Sequence, residues 1–304
     1  MKKLITVLAL IALTAFSACK NKTALDSNGM PQTLTIAVVQ AEGIDEIKKI
    51  REQMRDYLQE KLKIPVELIY SNDYTGVIEA LRANKAHMAD MQPFAYVIAS
   101  RTLKLNPLVT LGNNGKPTTY KSVIMANAHG SIKTMDDVKA RAKKLTLAFV
   151  EPASASGHLI PRAYLNSIGL NPDTAFKQTI FAGNHLTSVL SVKSGKVDIG
   201  CTTNLVFMLM TKAKMINDGD IRVLWTSDPI VSDPIVVKSD INKDLQKRIQ
   251  QAYLDMNKER PDILKAYVKI FIKDTTRRSY MVANDTLYNG LRKIAGSIKS
   301  LKAN

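Results

Sequence analysis

The chain has 304 residues and a net charge of +16, from 43 Lys and Arg against 27 Asp and Glu, and only two cysteines. Two cysteines leave no disulfide framework to read, and the length suits one large domain or two lobes. The charge draws anions and anionic lipid over distances set by salt. It argues against nucleic acid, because the basic residues are scattered along amphipathic helices instead of gathered with aromatics in one stripe.

Lys2 and Lys3 precede an apolar run from Leu4 to Phe16, and the small residues Ser17-Ala18 lead into Cys19. Basic, apolar, small is the order of a secretory signal. The run falls short of the roughly 20 apolar residues that a membrane-spanning helix needs. Phe16-Ser17-Ala18-Cys19 resembles the lipobox of bacterial lipoproteins, with Phe16 where Leu is usual. The resemblance implies a signal peptide over 1–18 and lipid attachment at Cys19. It also implies an exported protein held on a bacterial membrane, facing the periplasm or the cell exterior. Cys201 then has no partner and reads as a small buried hydrophobe. Residues 19–32, polar and aperiodic, read as a flexible tether.

From Thr33 the chain alternates short β-like runs with helical patterns. Leu34–Val39 is a strand, and Ile44–Leu62 a helix with Ile47, Ile50, Met54, Tyr57, Leu58 and Leu62 at helical spacing. Pro65–Tyr70 is the next strand and Tyr74–Asn84 the next helix; a strand at Met88–Met91 leads into a helix starting at Pro93. Val109–Leu111, Ser122–Ala126, Leu145–Val150, Gln178–Phe181, Val197–Cys201, Ile221–Trp225 and Ile235–Lys238 are further strands. Helical patterns cover Ser156–Ile168, Asn184–Ser194, Leu205–Ala213, Asn242–Lys258, Pro261–Lys269 and Thr286–Ser300. Such alternation argues for an α/β fold of parallel sheets flanked by helices. Two blocks of it make two lobes, with crossovers near Thr118–Tyr120 and Thr226–Pro229.

In open α/β sheets ligands bind beyond the carboxyl ends of strands, where helix N-termini gather. Three such junctions carry small or hydroxyl residues: Ser71–Gly76, Gln92–Tyr96 and Glu151–His158. In the third, Ser154 and Ser156 supply hydroxyls at a helix start whose free N–H groups favour an anion. Ala155 and Gly157 let that anion approach the main chain. The same serines also suit plain helix capping. His185 opens another predicted helix, and Asn204 lies just past a strand, placed to cap a helix or reach a ligand.

Asp73-Tyr-Thr-Gly-Val-Ile-Glu-Ala-Leu81 followed by Asp90-Met-Gln-Pro-Phe-Ala-Tyr96 resembles the phosphonate/phosphite/phosphate-binding proteins of ABC transporters. Glu151-Pro-Ala-Ser-Ala-Ser-Gly-His-Leu-Ile-Pro161 resembles their serine-rich phosphoryl turn. Ala182–Val189 and Gly195–Asn204 are similar to two later blocks, so the likeness spans the mature chain. It implies a periplasmic-binding-protein fold (type II-like) whose two lobes are joined by two crossover segments. The first lobe would comprise 33–118 and 229–304 with its C-terminal helices, and the second 119–228. A phosphorus oxyanion would lie between them and be delivered to the permease. The implied contacts are Tyr74, Thr75, Gln92, Phe94 and Tyr96 from the first lobe. Ser154, Ala155, Ser156, Gly157, His158, His185 and Asn204 would serve from the second. Ala155 replaces a usual Thr, and Asn204 a usual acid. The implied protein is a monomer without cofactor or metal. A different small solute or a sensor role would suit the same fold. A hydrolase built on Ser154 or Ser156 with His158 or His185 and Asp198 lacks the Gly-x-Ser-x-Gly pattern, and the histidines lack metal-ligand spacing.

Overall fold

Residues 24–40, 45–271 and 278–298 are described by the computed structural model; the signal peptide expected over 1–18 and the expected lipid site Cys19 lie outside them. The elements are, in order, β1 (Leu34–Val39), α1 (Asp45–Leu62), β2 (Val66–Ser71), α2 (Tyr74–Arg82), β3 (Met88–Asp90) and α3 (Pro93–Ala99). There follow β4 (Leu105–Asn113), β5 (Lys116–Pro117), β6 (Thr119–Tyr120), β7 (Ser122–Asn127), α4 (Met135–Arg141) and β8 (Thr146–Phe149). A wide π-turn (Ala155–Leu159) feeds α5 (Ile160–Ser167), then β9 (Gln178–Phe181), α6 (His185–Lys193), β10 (Ile199–Thr203) and α7 (Asn204–Lys212). The chain finishes with β11 (Ile221–Thr226), β12 (Ile230–Val231), β13 (Pro234–Lys238), α8 (Lys243–Glu259), α9 (Pro261–Phe271), β14 (Arg278–Val282) and α10 (Asn289–Ser297).

The strands sort into two large sheets. One runs β14-β4-β13-β3-β1-β2, with β5 on β4, and the other β11-β7-β10-β8-β9. The first takes strands from both ends of the chain and the second only from its middle, so two α/β lobes result. Between them β6 and β12 pair antiparallel, Ile230 opposite Tyr120, and these two short strands are the crossovers. Both sheets are mixed, not parallel. β1 is parallel to β2 and β3, but β13 runs antiparallel to β3 and β4, and β7 antiparallel to β10 and β11. Hydrophobic periodicity marks a strand and its buried face but carries no sign for its direction.

Helix α1 shows why these elements form where they do. Ile47, Ile50, Met54, Tyr57, Leu58 and Leu62 are buried and recur at helical spacing, pressing one stripe onto the first sheet. Helix α2 is started by Asp73, whose carboxylate accepts the Gly76 N–H at 2.6 Å. On the opposite face of that sheet, α2, α3 and α10 share a core with Ala153, Ala155 and Leu159 of the second lobe. The π-turn is therefore packed against the first lobe.

One expectation needs correction. Residues 24–32 do not form a free linker: Asp26 accepts the N–H groups of Asn28 and Met30, and Leu25 bridges to Pro31. Gly29, at φ +75°, presents its carbonyl to Asn242 N–H, and Leu25 and Met30 pack on the first-lobe core. Two apolar side chains and an Asx-type turn dock a segment whose overall polarity suggested none. The C-terminal region differs too. Asp285–Tyr288 is a short 3-10 turn before α10, and β14 is a strand the periodicity did not mark.

Candidate ligand-binding site

A cavity of about 280 Å³ lies between the lobes, reached by strand ends and helix starts of both. Six of the expected residues line it: Tyr74, Gln92, Ser154, Ala155, Ser156 and His185. Local geometry explains the turn. Ser154 ends an extended approach from β8, and its hydroxyl oxygen accepts Gly157 N–H at 2.9 Å. Leu159 N–H reaches back five residues to the Ser154 carbonyl. This wider winding opens the turn at its start, where the first N–H groups have no carbonyl behind them. Gly157 is required here: a Cβ would sit 2.3 Å from a methyl of Val150, itself fully buried. The turn is thereby pressed onto β8. Ser122 donates its hydroxyl to the Ser156 carbonyl at 2.6 Å, and the Ser156 side chain interacts with the Tyr120 phenol.

His185 is the first residue of α6, after the Asn184 cap, and its Nδ1 lies 3.1 Å from Thr202 Oγ1. Burial lowers its pKa to about 4, so at neutral pH the ring is uncharged and offers one N–H. Burial raises the Tyr74 phenol far above its ordinary range, with Glu151 and Asp233 adding to the effect. Burial likewise raises Tyr120, with Asp233 and Tyr74 nearby. Both phenols stay protonated and can donate. Around the turn the cavity is thus supplied with neutral donors instead of cations.

The other expected residues are placed elsewhere. Phe94 and Tyr96 are buried under the first sheet; the Tyr96 hydroxyl donates to Asp285 and its ring meets Tyr288 edge-on. The π-turn rotates His158 inward, where Nδ1 lies 2.8 Å from the Pro152 carbonyl and Nε2 accepts Arg162 Nε–H. Gly157 packs on Val150, and Thr75 faces solvent beside the cavity. Asn204 Oδ1 accepts Lys121 N–H at 2.7 Å, tying α7 to the end of a crossover. None of these six lines the cavity.

Local motifs missed Tyr120, Glu151, Arg51, Asp90, Thr203 and Asp233, all of which line it. Glu151 belongs to the second lobe, yet both its carboxylate oxygens lie 3.2 Å from Tyr74 N of the first. Its position three residues before Ser154, after a buried strand, was the available signal.

Over residues 36–279 the chain matches the family described as ABC transporter, phosphonate, periplasmic substrate-binding protein. The chain belongs to that family. It is 31% identical over 245 residues to the phosphate-import protein PhnD of Mycolicibacterium smegmatis, across 75% of this chain and 74% of that one. It is 26% identical over 259 residues to the phosphonates-binding periplasmic protein of Escherichia coli, across 83% of this chain and 75% of the relative. Its fold is similar to that of PhnD1 from Prochlorococcus marinus, solved in complex with methylphosphonate. There the TM-score is 0.73 at 19% identity, covering 88% of this chain and 98% of that one. The family is a substrate-binding component of transporters acting outside the cytoplasm, so the hydrolase reading falls.

Proposed function

We propose that the protein captures a phosphorus oxyanion between its lobes, an organic phosphonate in preference to bare phosphate, and delivers it as a monomer to an ABC permease. The observation that carries this is the Ser154–Ser156 turn opening onto the interlobe cavity. Its N–H groups and hydroxyls, with Tyr74, Tyr120 and neutral His185, form a donor-rich pole for P–O oxygens. Ala155 in place of Thr removes one hydroxyl and keeps its N–H. The preference for a substituted ligand follows from size and lining. A water occupies about 30 Å³ of liquid, so a bare oxyanion would leave much of 280 Å³ unfilled, beside Val39, Ile47, Leu111, Val206, Leu209 and Val268.

Calorimetry of folded protein at neutral pH against phosphate, phosphite, methylphosphonate and aminoethylphosphonate tests the ligand class. Saturable one-site heat is expected, stronger for the substituted ligands. No heat from any of them would sink the ligand assignment and leave family membership intact.

Cys19 as a lipid-bearing first residue would hold the protein at the outer face of a bacterial membrane. Cys19→Ser should then move the protein from the membrane fraction to the soluble exported fraction, whereas an unaltered distribution would remove the anchor.

A further inference from the structure

The end of the cavity farther into the first lobe has a chemistry of its own. It is lined by Arg51 of α1, Asp90 at the end of β3, Gln92 just beyond it, and Asp233 just before β13. Antiparallel pairing of β3 with β13 sets Ile235 opposite Asp90, which brings the two acids onto neighbouring strand ends. Arg51 donates one terminal N–H to the Val39 carbonyl, while its other terminal nitrogen stands 3.9 Å from Asp90 Oδ2, a loose pairing. Two atoms are fully enclosed without a hydrogen-bond partner: Arg51 Nε, a donor, and Gln92 Oε1, an acceptor. Folded proteins seldom leave such atoms unmet. The cavity face of the compartment itself offers one loosely paired guanidinium beside two carboxyls, so a ligand group that fills it must carry both signs of charge.

We propose that this compartment is a second recognition pole, for a zwitterionic, amino-acid-type head at the far end of the ligand. A ligand carboxylate meets the Arg51 guanidinium, and a ligand ammonium meets Asp90 and Asp233. The inference rests on the reading of the cavity as a phosphonate site and names the ligand's other end. The electrostatics agree: burial raises both Asp90 and Asp233, Asp90 raises Asp233 further and Arg51 offsets part of it, so an entering ammonium would relieve the repulsion between the two carboxyls. Tyr267 and Tyr280 line the same compartment, near enough that Asp90 and Arg51 both act on their phenols.

The test is a ligand series on the wild-type protein by calorimetry: ethylphosphonate, phosphonopropionate, aminoethylphosphonate and phosphonoalanine. Phosphonoalanine is expected to bind roughly tenfold or more tighter than either singly charged tail, as charge-assisted hydrogen bonds allow. Asp90→Asn should lower the affinity ratio of phosphonoalanine to phosphonopropionate. Arg51→Gln should lower its ratio to aminoethylphosphonate. Ethylphosphonate binding as tightly as phosphonoalanine would overturn the second pole while leaving the phosphonate reading standing. Failure of all four to bind would overturn both.

Discussion

At Ser154 a single hydroxyl oxygen accepts the Gly157 N–H, which leaves its proton free for a ligand oxygen. Capping and binding are therefore compatible at this residue, and the two roles separate by measurement. Ser154→Ala should lower the thermal midpoint and weaken phosphonate binding by roughly 1.5–3 kcal/mol, the span for bonds to charged groups. Ser156→Ala should weaken binding by a similar amount with a smaller change in midpoint. Wild-type affinity in both variants would reduce the serines to structural caps. Ser154, Ser156 and His185 were legible because each sits at the first turn of a helix after a strand, where sequence position fixes direction. Tyr96 was not, although it shares a sequence block with Gln92. One turn of α3 carries its ring under the sheet to Tyr288 and Asp285. Tyr120 has no local signature at all, and its place follows from the crossover passing behind the π-turn.

The start of α2 is held by carboxylates from both lobes. Asp73 of its own lobe takes Gly76 N–H, and Glu151 of the other takes Tyr74 N–H. Burial, the largest cause, raises Glu151 from an ordinary 4.5 to about 7. A carboxyl that keeps its proton more readily when folded contributes stability in full below the unfolded value. That contribution is lost as pH rises through the folded one. Glu151→Gln keeps an acceptor for Tyr74 and removes the titration. The variant's thermal midpoint should thus gain on the wild type as pH climbs from about 4.5 to about 7. Parallel midpoint curves over that window would show that Glu151 does not titrate there. At this scale the sequence showed most of the helices and strands through their periodicity. Strand direction, the π-turn and β14 lay beyond it, because they depend on which distant strand lies alongside.

The molecule as a whole carries +16, yet among the described residues lining the cavity Arg51 is the only Lys or Arg. The excess charge therefore acts at a distance, drawing anions toward the protein, while short-range hold falls mainly to neutral donors. Raising salt from low to physiological should slow association severalfold and change dissociation little. Stopped-flow fluorescence from the tyrosines and Trp225 would follow both rates. Dissociation accelerating as much as association slows would mean that charge grips the ligand directly. Two lobes and the places of two crossovers were legible from the α/β blocks, but the assignment of 229–304 to the first lobe came through family likeness. The docked segment 24–32 carries a mechanical consequence. Its turn is fastened to Asn242 at the head of α8, so the first lobe takes up any pull from the N-terminal side. If Cys19 is the lipid-bearing residue, the five steps to Ala24 reach only about 17 Å when fully extended. The first lobe would then ride close to the membrane like a hull at a short mooring, and the second would be the part left free to swing.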